Sequence, residues 1–297
     1  MKIFDCFMYS GEDMLLKLRI NELNKFVDKF VISEASYHHD GSKRKLKFKI
    51  KDYEEFKNKI NYIVVNEEPK DVQKLLSSDT KIVTDNKKIL NSLKRENYQR
   101  NQLKKGIEES DDEDLIIISD LDEIPNLKNI KKDKIGNKIL IFKQEIFYYK
   151  LNLVYKDFVW FGSKATKKKY LKSPQSLRNI KNKKYQFWRL DTILSDTKFR
   201  NIEFVDKGGW HFTCVMNPQD LQKKLLSFAH HQDFESSGIK LKDLEDKIKN
   251  KIVLYNHDLD KKDSNKWHTQ KTLKKIEISS LPKYIAKNKS EFDNWLD

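Results

Sequence analysis

The sequence predicts an α/β fold built on a mixed central sheet with helices on both faces. Three observations carry that prediction. Short apolar runs alternate with stretches of helical periodicity through the first half of the chain. One run, Leu115 to Ile118, is continuously apolar, as a strand covered on both faces requires. Beyond Pro125 the alternation gives way to long aromatic segments of the kind that pair antiparallel.

Taken in order, Ile3, Phe4, Cys6, Phe7 and Met8 read as a first buried strand with Asp5 inside it. After Gly11, the residues Leu16, Ile20, Leu23 and Val27 recur at helical spacing and lead into a strand from Lys29 to Glu34, completing a β-α-β unit. Tyr62 to Val65 gives a third strand, and residues 86–109 predict a long helix that delivers the chain to the strand beginning at Leu115. Such alternation implies mainly parallel pairing. Lys138 to Tyr149 and Tyr155 to Gly162 are expected to pair antiparallel at the edge of that sheet. Asn217-Pro218 opens another helix, whose stripe of Leu221, Leu225 and Phe228 is read as packing. The charged tail after Lys240 reads as helical, with Trp267, Trp295 and Leu296 as docking points. No repeat or Pro/Gly/Ser-rich linker interrupts the chain, so a main domain over 1–240 and a helical elaboration over 241–297 packed on it are expected.

Composition narrows the function classes. With 297 residues the chain can bury a large core, and 38% hydrophobic with 11% aromatic content excludes a disordered polymer. The net charge of +15 comes from lysines scattered among abundant acids, the pattern of a solvated surface more than of a nucleic-acid groove. The densest basic stretches, Lys43 to Lys51, Lys167 to Lys172 and Lys181 to Lys184, are suited to steering phosphates or meeting an anionic membrane. Two cysteines, Cys6 and Cys214, make neither a disulfide framework nor a zinc spacing. Neither a signal peptide nor an apolar membrane span is visible, which leads to the expectation of a cytoplasmic protein.

The chemistry concentrates where the strand from Leu115 ends in Asp120, Asp122 and Glu123 before Pro125. Residues two apart on an extended segment point the same way, so Asp120 and Asp122 can offer oxygens to one hard divalent cation such as magnesium or manganese, shared with substrate phosphates. Ligands of open α/β sheets bind outside the carboxyl ends of the strands, where these acids lie. The same residues would also serve merely to end a strand and cap a turn.

A second cluster is Gly208-Gly-Trp-His-Phe212, where paired glycines permit close backbone approach and His211 is a candidate metal ligand or a hydrogen-bonded structural histidine. The third is Arg95 to Arg100 on the long helix. Arg95 and Arg100 could grip a diphosphate, or Arg100 could pair with Glu96 on a helix surface. His230 to Asp233 could supply a base or an acceptor contact, and Glu34 ends the second strand.

With these clusters in place, the chain resembles glycosyltransferase family 17. The resemblance runs through Phe4 to Phe7, Arg19 to Leu23 with Val31 to Glu34, and Gly41 with Leu46 and Phe48. It continues through Arg95-Glu96-Asn97 with Gln99-Arg100-Asn101, Ser119 to Pro125, and Gly209 to Phe212 with the Lys224 to Phe228 helix. It covers most of the chain in consistent order and is weakest over 150–206 and the tail, where acceptor choice is expected to lie. The resemblance implies a GT-A type, Rossmann-like catalytic domain, UDP-N-acetylglucosamine as donor, and inversion at the anomeric carbon. It implies a manganese or magnesium site made by Asp120 and Asp122, with His211 as third ligand. Arg95, Arg100, Asn97, Glu34 and Asp5 lie in the resembling segments and are expected to bind the sugar nucleotide. Asp120, Asp122, Glu123, Asp233 and Asp191 are the candidate catalytic carboxylates, and the residues set no order among the last three for the general base. Animal members carry an amino-terminal membrane anchor, whereas this chain starts at the first strand. The expected acceptor is therefore a glycan or lipid-linked glycan of a microbial or viral pathway, reached by peripheral contact with an anionic membrane.

Two other readings compete. Asp-Leu-Asp-Glu-Ile after an apolar strand also resembles the nucleophile loop of haloacid dehalogenase-type phosphatases, but that loop follows a first strand and here three strands precede it. A nucleic-acid-binding protein would explain the charge and leave the acidic strand end unexplained.

Overall fold

A computed structural model describes residues 1–227, 234, 237–260 and 263–297. The chain divides into two compact units. The first is Met1–Val72 with Lys94–Gln144 and Phe161–Gly209, and the second is Gln73–Leu93 with Glu145–Trp160 and Trp210–Asp297.

The first unit is an α/β layer. Strand β1 (Ile3–Met8), helix α1 (Asp13–Leu23), β2 (Lys29–Ala35) and β3 (Ile60–Val65) form in the predicted order. Helix α2 (Lys81–Gln102), which begins in the second unit, then leads to β4 (Leu115–Ser119). The strand order is β3-β2-β1-β4, all parallel, with Phe7 opposite both Ile32 and Ser119 in the ladder. Every residue of β4 is buried: strands on both flanks hide its edges, and Leu103 and Ile107 after α2 pack with Leu177 and Ile180 against Ile116 and Ile118. Phe4, Cys6, Val31, Leu103, Ile116 and Ile118 make the core here. The long helix was expected over 86–109. It ends instead at Gln102 and tightens into a 3-10 turn over Leu103–Ile107, in which Gly106 lies so close to β2 that a Cβ would fall 2.3 Å from a Val31 methyl.

Beyond the short β5 (Glu123–Pro125), the aromatic segments form β6 (Ile139–Tyr148) and β7 (Leu153–Lys167). They are neighbours in the sheet as expected, but their expected place at its edge is corrected. Strand β7 runs antiparallel to β4, with Ala165 opposite Ile117, and lies between β4 and β6 in the strand order. Gly162 to Thr166 are all buried, and their small and polar types concealed an interior strand from hydropathy reading. Helix α3 (Pro174–Asn179) follows, started by a capping box in which Ser173 accepts from the Ser176 backbone N–H. Strand β8 (Ile202–Val205) then pairs parallel with the first half of β6.

In the second unit, β9 (Gly209–Thr213) pairs parallel with the later half of β6, and β10 (Lys274–Lys275) pairs antiparallel with the start of β7. Helices α4 (Pro218–Ser227) and α5 (Leu241–Lys249) pack Leu221 and Leu244 into a core with Tyr148, Tyr155, Trp267 and Leu273. Leu221 and Leu225 are packing residues as expected, Trp267 is buried, and Trp295 and Leu296 are half-buried; Phe228 lies outside the described residues. No helix among the described residues is long and apolar enough to cross a membrane.

Candidate active site

The loop leaving β4 is held in shape from below by one buried arginine. Arg19, on the inner face of α1 and fully buried, makes a two-point pair with Asp5 of β1, Nε to Oδ2 at 2.8 Å and Nη2 to Oδ1 at 2.6 Å. Its remaining Nη1 donates to three carbonyl oxygens of the loop, those of Asp120 at 3.0 Å, Leu121 at 3.2 Å and Glu123 at 2.7 Å. The loop thus turns tightly at the mouth of the parallel strands. Asp5 sits beneath it, with both carboxylate oxygens committed to Arg19.

Glu123, also fully buried, closes the loop from the other side. Its Oε2 accepts the Asp120 backbone N–H at 3.0 Å, and both of its oxygens accept from Arg178 of α3, at 2.7 and 3.0 Å. Arg178 spans the loop: Nη2 also reaches Asp120 Oδ2 at 2.9 Å, and Nη1 reaches the Gly162 carbonyl at 2.8 Å. Burial opposes the charge of this guanidinium, but Asp120 and Glu123 beside it outweigh burial and hold it firmly protonated. Under Arg178, the buried Lys164 of β7 donates to the carbonyl oxygens of Arg178 and Ile180 at the end of α3. Burial, and then the neighbouring Arg178, push its pKa down to about 8.

Asp120 is half-exposed and takes a cation on each oxygen, Arg178 on Oδ2 and Arg100 Nη2 on Oδ1 at 3.0 Å. Arg100, at the end of α2, also donates to Glu96 at 2.7 Å and to Gln175 of α3. The helix pair with Glu96 that the sequence offered for Arg100 is present, and the same guanidinium also reaches the acidic loop. Asp122 is half-exposed on the same loop. Serines floor the site: Ser119 Oγ donates to Ser163 Oγ at 2.7 Å, which donates to the Glu123 carbonyl at 3.1 Å.

The paired glycines act as expected. Gly209 has φ of +127°, and a Cβ there would lie 2.1 Å from the Ile124 carbonyl oxygen, so only glycine lets the chain pass this close behind the acidic loop. Asn126 N–H donates to the Gly208 carbonyl at 2.8 Å.

The other expected residues are placed as follows. Glu34 is fully buried and organises the segment 44–48, accepting from Arg44 at 2.7 Å, from the backbone of Lys47 and Phe48 at 2.9 and 3.1 Å, and from the Tyr62 hydroxyl at 2.8 Å. Arg95 turns to Glu68 at 2.7 Å and to the His39 carbonyl at 3.2 Å, and Asn97 is half-buried. Asp191 lies on an exposed turn between Arg189 and Lys198, whose hydrogen bonds hold its carboxyl well below the ordinary carboxylate range. Asp233 lies outside the described residues. His211 belongs to the second unit, opposite Ile146 in the ladder, buried, with its ring stacked on Trp160 at 4.4 Å between centroids. In the same unit His257 Nε2 shares a hydrogen with the Tyr148 hydroxyl at 2.5 Å; burial, then His211, push the His257 pKa down to about 4.

Sequence reasoning missed Arg178, Lys164, Gln175 and Ser163. Only the Ser173-Pro174 helix start signalled α3, and no pattern in that stretch marked Arg178 as facing inward. Among the described residues, no three His, Cys, Asp or Glu side chains form a ready-made metal cage. Magnesium and manganese sites commonly use one or two protein carboxylates and complete their shell with phosphate and water, and the half-exposed Asp120 and Asp122 fit that donor set.

With a divalent cation between them, a carboxylate pair at a strand mouth could receive a diphosphate. No match was found among curated proteins. The family model described as glycosyltransferase family 17 matches residues 1–296, essentially the whole chain. The chain is a glycosyltransferase and belongs to glycosyltransferase family 17.

Proposed function

We propose that this enzyme is a metal-dependent, inverting transferase of the GT-A type that moves N-acetylglucosamine from UDP-N-acetylglucosamine to a hydroxyl of a glycan acceptor. The observation that carries the proposal is the loop Asp120 to Glu123 at the carboxyl end of β4, with Arg100 and Arg178 on either oxygen of Asp120. The parallel order β3-β2-β1-β4, with β7 antiparallel beside it, supports the GT-A assignment.

A divalent cation held by Asp120 and Asp122 would neutralise the charge that grows on the departing diphosphate. Arg100 and Arg178 add fixed positive charge at the same edge, and their burial lets it act in a medium where charge is poorly screened. Glu123 keeps Arg178 aimed, and Arg19 keeps the loop's main chain in place, so neither needs to move when donor arrives. Inversion in one displacement requires a carboxylate to take the acceptor proton, worth roughly 10²-fold to 10⁴-fold in rate. Glu123 is enclosed by Arg178 and Asp191 is held by surface cations, so on this reading both are supports and the base is tested first at Asp233.

A thermal-shift panel of UDP and GDP sugars with and without manganese tests the donor class, because a ligand that favours the folded state raises its midpoint. UDP-N-acetylglucosamine with manganese is expected to give the largest rise. Asp120→Ala and Asp122→Ala are each expected to lower donor turnover by about 10²-fold to 10³-fold or more. Metal-independent turnover in either variant, or release of inorganic phosphate without UDP, overturns the proposal.

A further inference from the structure

The exposed turn that carries Asp191 has an unusual division of labour. Its polar groups are used internally: the Arg200 guanidinium donates to Thr192 Oγ1 at 2.6 Å and to the Arg189 carbonyl at 2.7 Å, Thr192 Oγ1 donates to the same carbonyl at 2.6 Å, and Asp191 ties Arg189 to Lys198. Its apolar groups are left outside. Phe187 is 79% exposed, Trp188 61%, Leu190 73%, Ile193 67% and Leu194 93%. Five large apolar side chains within eight residues, on a turn shaped by its own hydrogen bonds, form a patch that the first unit does not cover.

The surroundings of the patch indicate what covers it. Lys181, Lys183 and Lys184 precede it and are exposed, and the stretch 181–200 holds six Lys or Arg against two Asp. Lysine is depleted at protein–protein interfaces, where its hydration and flexible stem are costly to suppress. At an anionic bilayer both features are useful. Lysines draw the surface to the headgroups, and the stems can lie along the apolar boundary with the ammonium groups still wet. Trp and Phe at the tip, packed edge to face at 5.0 Å, suit the headgroup boundary, and Leu and Ile beside them suit the first acyl carbons.

We propose that the segment 185–194 is a membrane-docking loop that inserts Phe187, Trp188, Leu190, Ile193 and Leu194 into the surface of an anionic bilayer, with Lys181, Lys183 and Lys184 on the headgroups. The chemistry of the partner is that of a lipid surface carrying net negative charge. The loop would hold a transferase of lipid-linked glycans beside its acceptor. The docking itself does not rest on the donor or the metal assigned above.

Flotation of the full chain with vesicles of phosphatidylcholine containing roughly one-third phosphatidylglycerol tests this directly. The protein is expected to float with these vesicles and to lose most of its binding at high salt or on pure phosphatidylcholine. Phe187→Ser with Trp188→Ser is expected to weaken vesicle binding by roughly ten-fold or more. Lys183→Glu with Lys184→Glu should weaken it on anionic vesicles only. Both variants should keep the wild-type sugar-nucleotide turnover and nearly the wild-type melting temperature, since all four residues are exposed and, among the described residues, the one ring contact of these lysines is Lys184 over Phe204. Loss of flotation with turnover intact confirms the loop independently of the donor assignment. Failure of the wild type to float, or flotation unchanged in the Phe187/Trp188 variant, overturns the proposal. So does a concentration-dependent dimer that the same substitutions abolish, because the patch then belongs to a second copy of the chain.

Discussion

Asp120 and Asp191 look alike when only the carboxylates are considered. Their side chains are 39% and 38% exposed, and each lies between two cations. The cations differ. Around Asp120, Arg100 and Arg178 are 4% and 14% exposed, whereas around Asp191, Arg189 and Lys198 are 48% and 28% exposed. A carboxylate whose partners are buried faces outward from a rigid, poorly screened bed of charge. One whose partners are exposed is embedded in water and salt, and the pairing mainly shapes a surface turn. The exposure of the acid does not separate the two positions, whereas the burial of the groups behind it does.

The sharpest way to test that contrast is to remove the support under the first loop. Arg19→Met leaves Asp5 buried without its partner and frees three loop carbonyls, and is expected to cost about 3–5 kcal/mol in urea denaturation. A loss near zero would mean that the loop is not pinned as described. Next in size is a matched pair of conservative changes. Arg178→Lys keeps the charge but loses the planar fork that spans Asp120 and Glu123, and should lower sugar-nucleotide turnover by about ten-fold to 10²-fold. Arg189→Lys, measured alongside, should leave turnover unchanged, and equal losses in the two variants would break the comparison.

The buried bed also has a pH signature. Lys164 has a pKa of about 8 in the folded protein against an ordinary 10.5, so between those values the unfolded chain holds a proton that the folded chain has shed. Stability therefore gains a rising contribution from Lys164 as pH climbs through that window. The penalty for its charge is present in full below pH 8. Chemical denaturation of Lys164→Met should show a flatter profile than the wild type over this range, whatever its absolute stability. The smallest effect is expected at the exposed turn, where Asp191→Ala should change turnover by less than about two-fold and leave the melting temperature unchanged. A large loss there would return Asp191 to the list of candidate bases.

Much of the scaffold was legible because the parallel strands are apolar runs with helical stretches between them, and because Asp120 and Asp122 stand at the end of the most apolar of those runs. The glycine pair at 208–209 could be read as a close approach, although not what it approaches. Two things were hidden. The interior position of β7 was masked by Ser163, Lys164 and Thr166, polar residues whose hydrogen bonds form only in the folded chain. Arg178 carries no local signal at all. Its role depends on a six-residue helix being laid against a loop more than fifty positions earlier, and that is tertiary information. Asp5 and Glu34 illustrate the same limit: both were marked by sequence position, and both prove to be fully engaged buried carboxylates that set the shape of loops.

The three bonds from Arg19 to the carbonyl oxygens of residues 120, 121 and 123 have a consequence for engineering. They grip main-chain atoms, which every amino acid has, so this half of the loop's support does not depend on the side chains at 120 and 122, while Glu123 supplies the other half through its own carboxylate. The positions 120 and 122 behave as interchangeable sockets in a preformed mount. Histidine, asparagine or glutamate installed there would leave those three bonds in place, and a relative lacking the two acids would be expected to keep them.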